Sequence, residues 1–197
     1  MPSGKLIVIS APSGSGKTTI AKEILKRYPS LGFSVSATTR AKRLDEVDGR
    51  DYFFLTESEF KKRVAAGEFV EWEEMYGNLY GTLKTEVDRA LSSGRDLLFD
   101  LDVKGGLSIK KQYPQALLIF IRPPSTETLK ERLLKRQTED EETLRRRLAR
   151  AQMELELGNA FDYQVVNDEL DRAIREVQNV IEQHYATSFK GGATHAH

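Results

Sequence analysis

Apolar residues recur along this chain in two rhythms, and the rhythms alternate. From Lys5 to Ser10 (KLIVIS) runs a short, β-branched apolar stretch, the pattern of a strand covered on both faces in a parallel sheet. Glycines end it. From Lys17 to Tyr28, Ile20, Ile24 and Leu25 return at helical spacing among lysines and a glutamate, and Pro29 stops the element. The same succession appears at Leu97 to Leu101, followed by a helical stretch to Tyr113, and at Ala116 to Ile121, followed by Thr126 to Arg136. Repeated strand–helix units predict an α/β fold, a three-layer core built on a parallel sheet.

Between these units, residues from about Phe33 to Thr82 follow a different pattern. Short aromatic, alternating runs (Tyr52 to Phe54, Phe69 to Trp72, Asn78 to Tyr80) are broken by Gly49, Gly67, Gly77 and Gly81. They predict an inserted small α+β lobe, mostly antiparallel, over residues 33–82. The core then comprises residues 1–32 and 83–190. It includes a helix near Lys84 to Leu91, a long charged helix from about Glu139 to Leu157, a strand at Tyr163 to Val166 and a last helix from Glu169 to about Tyr185. Residues of about 126–158 form a helical lid in this reading. The tail, 191–197, is expected to be disordered, and its His195 and His197 receive no role.

Composition narrows the function classes. The 197 residues, 39% hydrophobic, suffice for one sizeable core. Lysine plus arginine number 30 and aspartate plus glutamate 30, so no overall charge excess argues for nucleic acid or a membrane surface as partner. There is no cysteine, which excludes disulfides and thiolate metal sites and is compatible with a reducing compartment. The apolar run after Lys5 is too short for a secretory signal or a membrane span. A cytoplasmic protein is expected.

The loop between the first strand and its helix carries the first chemistry. Ala11-Pro12-Ser13-Gly14-Ser15-Gly16-Lys17-Thr18, with Thr19 following, ends in the Gly-Lys-Thr of a nucleoside-triphosphate loop, or P-loop. Glycines let backbone N–H groups curl around an anion, and the helix N-terminus adds a positive dipole end. Lys17 reaches the β/γ-phosphates and Thr18 ligates Mg²⁺. The strict pattern begins with glycine where this chain has Ala11, a departure that strains the backbone only if that position needs positive φ. An ordinary glycine turn with a surface lysine is the plainer alternative; the flanking strand and helix favour the phosphate loop.

A second cluster follows in Ser36-Ala37-Thr38-Thr39-Arg40-Ala41-Lys42-Arg43, with Glu46, Gly49, Asp51 and Tyr52 after it. Two guanidinium forks and a phenol suit a phosphate monoester. A solvated basic loop would explain the charges but not the hydroxyl-rich approach. Here the residues resemble the guanylate kinase family, from about Leu6 to about Tyr185. The resemblance is carried by the Pro-Ser-Gly variant of the P-loop, Ser-x-Thr-Thr-Arg-x-x-Arg, Gly49 to Phe54, Glu68 to Trp72, Gly77 to Thr82, Asp100-Leu101-Asp102 and Val166-Asn167-Asp168. It implies that Arg40, Arg43, Tyr52 and Tyr80 hold the phosphate of GMP, and that Ser36, Glu71, Thr82 and Asp102 face the guanine. The chemistry agrees. A carboxylate such as Glu71 accepts from guanine N1–H and N2–H₂, and a hydroxyl such as Thr82 can donate to O6; adenine reverses that edge. Surface charges or structural ion pairs are the plainer readings of Glu71 and Asp102.

Asp100 and Asp102 close the strand Leu97 to Leu101, where open α/β sheets place their ligands, and alternation points both to one side. Either can serve Mg²⁺ through water or the acceptor nucleotide; Asp100 is the carboxylate assigned to the metal beside Thr18. Helical spacing singles out three cations. Arg145 and Arg146 have Glu141 and Glu142 four residues earlier, and Arg150 has Glu154 four later, whereas Arg132 and Arg147 have no acid at those spacings. Arg136 has Arg132 four before it, and its acids Glu139 and Asp140 lie past a break near Gln137. Arg132, Arg136 and Arg147 are therefore expected to close over the ATP phosphates, the lid role that the resemblance also implies. Relatives carry glycine where this chain has Gln137. Asn167 occupies the position from which the family contacts adenine; a helix-cap role for Asn167 and Asp168 is the alternative.

Together the resemblance implies ATP-dependent phosphorylation of GMP, and by extension dGMP, to the diphosphate in purine nucleotide metabolism. Lys17 and the lid arginines act on the transferring group, with Mg²⁺ as cofactor and a monomer or homodimer as the working unit. Two rivals stand beside it. A non-catalytic scaffold of guanylate-kinase type would be expected to lose the phosphate loop and lid arginines, and a kinase acting on a ribosyl phosphate would lack Glu71, Thr82 and Asp102 as a set.

Overall fold

The computed structural model describes residues 4–75, 77–134 and 141–190. Its first sheet runs parallel throughout in the order β2 (Gly32–Phe33), β7 (Leu97–Asp100), β1 (Leu6–Ser10), β8 (Leu117–Arg122), β9 (Tyr163–Val166). Strand parity divides the core in two. Ile7, Ile9, Leu98, Ile119 and Ile121 face one side, where they pack with Ile20 and Ile24 of α1 (Lys17–Arg27) and Ile174 and Val177 of α7 (Leu170–Lys190). Leu6, Val8, Phe99, Leu118 and Phe120 face the other, against Val87 of α3 (Lys84–Ser92), Ile109 of α4 (Val103–Gln112) and Phe161. Each fully buried aliphatic side chain contributes roughly 1.5–3 kcal/mol, so the two-sided strands lock the sheet as the middle layer.

The second sheet, in the order β4 (Phe53–Phe54), β3 (Ala37–Thr38), β6 (Asn78–Leu83), β5 (Phe69–Met75), has antiparallel pairs at β3–β6 and β5–β6 and a parallel pair at β3–β4. It has its own cluster of Ala37, Phe60, Phe69, Leu79 and Leu83, with the Phe60 and Phe69 rings stacked at 4.4 Å. Phe60 is carried by α2 (Glu57–Ala65), which opens on a reciprocal capping box between Thr56 and Glu59. Phe33 pairs with Leu98 in the parallel sheet, so the sheet boundary falls after it.

α5 (Thr126–Leu134) and α6 (Glu141–Leu157) meet through Leu129, Leu133, Leu148 and Ala151. The expected positions Arg136 and Gln137, like the tail 191–197, lie outside the described residues. Two boundaries differ from the sequence reading. The strand at 97 ends at Asp100, because Asp102 turns its carboxylate onto the Gly105 N–H at 2.8 Å and becomes the N-cap of α4. The last helix reaches Lys190 rather than stopping near Tyr185.

Replacing Phe60 by alanine should remove about 3–5 kcal/mol from the second sheet's cluster. Trp72, the chain's single tryptophan, lies on β5 of that sheet, so its fluorescence transition in urea should move to lower denaturant further than the far-ultraviolet circular dichroism. Coincident, unshifted transitions would contradict this division of the core.

Candidate active site

The loop after β1 is shaped by its glycines. Gly14 and Gly16 both lie at φ 89°, in the left-handed region, and α1 starts immediately after, with Gly16 as its N-cap. Ala11, the departure from the strict pattern, places its methyl in the apolar cluster below the sheet. Lys17 Nζ donates to the Leu101 carbonyl at 2.8 Å and pairs with Asp100 at 2.6 Å. Thr18 Oγ1 donates to the other Asp100 oxygen at 3.3 Å. Asn167 Nδ2 donates to the Ser15 carbonyl at 2.7 Å, and Arg132 reaches the Asn167 carbonyl at 3.2 Å. Asn167 therefore braces the loop; α7 begins at Leu170, and Asp168 accepts from the Glu169 N–H and pairs with Arg172.

Two cavities flank this loop. One, of about 320 Å³, is walled by Pro12, Ser13, Lys17, Thr18, Arg147 and Arg150. The other, of about 450 Å³, lies on the far side of Gly14 and Gly16, against Thr19, Arg132, Asn167 and Asp168. Thr18 and Asp100 are the side chains able to serve a hard cation. No group of three or more His, Cys, Asp or Glu that could cage a metal occurs among the described residues, but Mg²⁺ is commonly held by one or two protein oxygens plus phosphates and water, and this pair fits that demand.

A third pocket, of about 310 Å³, opens beside the first and shares Met75 and Asp102 with it. Ser36, Tyr52, Glu71, Tyr80 and Asp102, all expected from the sequence, line it together with Glu73. The Tyr52 and Tyr80 rings meet edge-on at 6.3 Å. Thr82 is fully buried behind Glu71 and donates its hydroxyl proton to Glu71 Oε1 at 2.6 Å. The hydroxyl expected to serve a base thus meets the Glu71 carboxylate in this structure. Burial pushes Glu71 up to about 7, with Asp102 and Glu73 adding to the shift and the Thr82 bond opposing it. Glu73 rises to about 6 through burial and the neighbouring Asp102, against the pull of Arg150.

Arg40 and Arg43 are not equivalent. Arg40 is partly buried, lies 5.3 Å from the Tyr52 ring centre, and pairs with Glu46 at 2.6 Å. Arg43 is exposed and meets Glu46 through its backbone N–H at 2.8 Å. Of the two acids that follow these arginines, Asp45 and Glu46, it is Glu46 that compensates the segment. Sequence spacing also assigned Arg150 wholly to Glu154. Their contact exists at 3.0 Å, but Arg150 reaches Glu73 at 3.4 Å and Asp102 at 3.6 Å as well.

A parallel sheet whose first strand feeds a Lys-Thr phosphate loop, with a carboxylate-lined pocket adjoining, defines a P-loop nucleotide-binding protein with a second ligand site. The family model for guanylate kinase matches residues 3–184. The chain is 50% identical over 178 residues to the guanylate kinase of Thermotoga maritima, covering 90% of this chain and 86% of that one. It is 52% identical over 175 residues to that of Chlorobaculum tepidum, covering 88% and 90%. The crystal structure of guanylate kinase from Anaplasma phagocytophilum aligns over 93% of this chain and 87% of that one with a TM-score of 0.71 and 29% identity. The chain belongs to the guanylate kinase family.

Glu71 makes a pH prediction that needs no substrate. Because its folded value is raised to about 7 above an unfolded value near 4.3, the unfolded chain loses its proton first, and stability falls as pH rises between those values. Glu71→Gln keeps an oxygen for Thr82 and carries no charge. The melting temperature of E71Q relative to wild type should therefore climb from pH 5 to pH 8; a constant difference would show that Glu71 titrates normally.

Proposed function

We propose that the protein transfers the γ-phosphoryl group of ATP to GMP, yielding ADP and GDP, with Mg²⁺ as cofactor. The carrying observation is the meeting of the phosphate-loop cavity and the Glu71 pocket at Met75 and Asp102, which would place an acceptor phosphate against a donor phosphate. In this reading residues 33–82 are the GMP-binding lobe and the segment from about 126 to 158 is the lid over ATP.

Phosphoryl transfer asks for in-line placement and for cations facing the equatorial oxygens, with little need of a strong base. Lys17 moves its charge from Asp100 to the incoming phosphates, and the loop N–H groups at the head of α1 hold the chain of anions. Arg132 faces the nucleotide from beside Asn167, and Arg147 faces the transferring group from α6. Thr18 and Asp100 would hold Mg²⁺, which when bound offsets phosphate charge. On the acceptor side Arg40 exchanges Glu46 for the GMP phosphate beside Tyr52 and Tyr80. Glu71 must be ionised to accept from N1–H and N2–H₂, and Thr82 keeps it oriented. Ser36 is the hydroxyl on the pocket wall that can donate to O6. An adenine in this pocket would set an acceptor against Glu71 and leave the buried carboxylate without its partner, a loss of about 1–3 kcal/mol.

Coupled measurement of ADP formation with GMP, AMP, UMP and CMP offered separately should show rapid turnover with GMP alone. Lys17→Ala should lower kcat by about 10²- to 10³-fold without lowering the melting temperature. Binding of GMP without turnover would instead support the non-catalytic scaffold.

GMP should also bind more tightly as pH rises from 6 to 8, since below about 7 Glu71 holds a proton where guanine needs an acceptor. The second phosphate ionisation, near pH 6, contributes equally in E71Q, so the difference between the two titrations isolates Glu71. Parallel curves would remove Glu71 from base readout.

A further inference from the structure

Arg150 of α6 touches carboxylates from two other elements of the site at once. Its guanidinium pairs with Glu154 on its own helix at 3.0 Å, with Glu73 on β5 at 3.4 Å and with Asp102 at the head of α4 at 3.6 Å. The Asp102 carboxylate is divided between the two jobs: Oδ1 accepts from the Gly105 N–H while Oδ2 faces Arg150. Three residues before it on the same helical face, Arg147 lines the phosphate cavity beside Arg150. Glu73 lines the acceptor pocket, and its neighbour Glu74 points to the opposite face of β5 and is exposed.

We propose that Glu73 and Arg150 form a positioning pair that ties α6 to the acceptor pocket and so sets Arg147 over the transferring phosphoryl group. The inference rests on the phosphoryl-transfer reading above and adds to it two residues, on the walls of the two cavities, to which that reading gives no substrate contact. The pair is not needed to hold the helix in place. Leu148 and Ala151 already pack against Leu129 and Leu133 of α5, and Leu155 and Leu157 against the sheet cluster. A half-exposed ion pair contributes little to stability, whereas a misplacement of about 1 Å in a group facing the reacting atoms costs on the order of 10² in rate. The forked, planar guanidinium is suited to span two carboxylates from different elements in a fixed direction. Glu73 is raised to about 6, which still leaves it charged at neutral pH and able to grip Arg150.

The test is steady-state kinetics on wild type, Glu73→Gln, Arg150→Gln, the double variant and Glu74→Gln, with thermal melts on each. Glu73→Gln and Arg150→Gln should each lower kcat about five- to ten-fold, with KM for GMP and for ATP within about two-fold of wild type, melting temperatures little changed and Glu74→Gln unaffected. The double variant should be no slower than Arg150→Gln alone, because the two residues act through one contact. Unchanged kcat in Glu73→Gln overturns the proposal, as do losses that multiply in the double variant. A rise in KM for GMP with kcat retained also overturns it, since Glu73 would then touch the acceptor directly. A wild-type protein that fails to phosphorylate GMP sinks the phosphoryl-transfer reading and this inference with it, whereas an active wild type with indifferent variants sinks only the inference.

Discussion

A cleft that must receive two polyanions has to carry positive charge before they arrive, and a cation withdrawn from water is tolerable only with a partner. The structure meets this constraint by parking cations on carboxylates. Lys17 rests on Asp100, Arg40 on Glu46, and Arg150 on Glu73, Asp102 and Glu154. On the proposed reading, binding would exchange one anion for another at Lys17 and Arg40. The equal numbers of acids and bases over the whole chain go with this local pairing: these cations of the site each meet at least one carboxylate.

The fold supplies the places where such exchanges can happen. Strand parity commits Ile7 and Ile9 to one apolar layer and Leu6 and Val8 to the other, so polar chemistry is pushed to the strand ends. There β1 runs into the phosphate loop and β7 ends at Asp100, in register beside Ile9. This adjacency, and no shared sequence neighbourhood, brings Lys17 to Asp100. The antiparallel sheet contributes its wall in the same manner. The pairing of Glu71 with Thr82 across β5 and β6 puts the carboxylate and the buried hydroxyl within hydrogen-bonding distance.

Much of this was legible in the residues. The apolar runs gave the parallel sheet and its helices because period-two and period-3.6 patterns are local properties, and the Lys17 and Glu71 sites followed from motif and resemblance. What escaped was the partner of each group. Glu46 lies within a few residues of Arg40, yet nothing in a loop's spacing says which of its acids will fold back. The pairing of Arg150 with Glu154 is a helical-spacing rule and was correct, but its contacts to Glu73 and Asp102 cross three elements. The contact of the Thr82 hydroxyl with Glu71 depends on a neighbour across the sheet, which spacing along the chain does not show. Asp102 is expected at the strand end, pointing the same way as Asp100, because alternation cannot register that a carboxylate will prefer the free N–H groups at a helix start.

The raised value of Glu71 fits what base specificity would demand of the proposed acceptor site. A carboxylate left in water would keep an ordinary value and would lose little on meeting the wrong base, because solvent could stand in for the missing donors. Enclosing it between α4 and the antiparallel sheet makes the charged form expensive, and in the proposed function a base that supplies two adjacent N–H groups would relieve that expense. Discrimination therefore grows with the penalty the empty site carries. Thr82 moderates it: one hydrogen bond from a fully buried hydroxyl keeps Glu71 near the point where neutral solution still finds it ionised in a good fraction of molecules. Without that bond the carboxyl would hold its proton more firmly, and on the proposed reading it would then present a donor to guanine's own donors, so a hydroxyl behind the acceptor would govern how well the base is read.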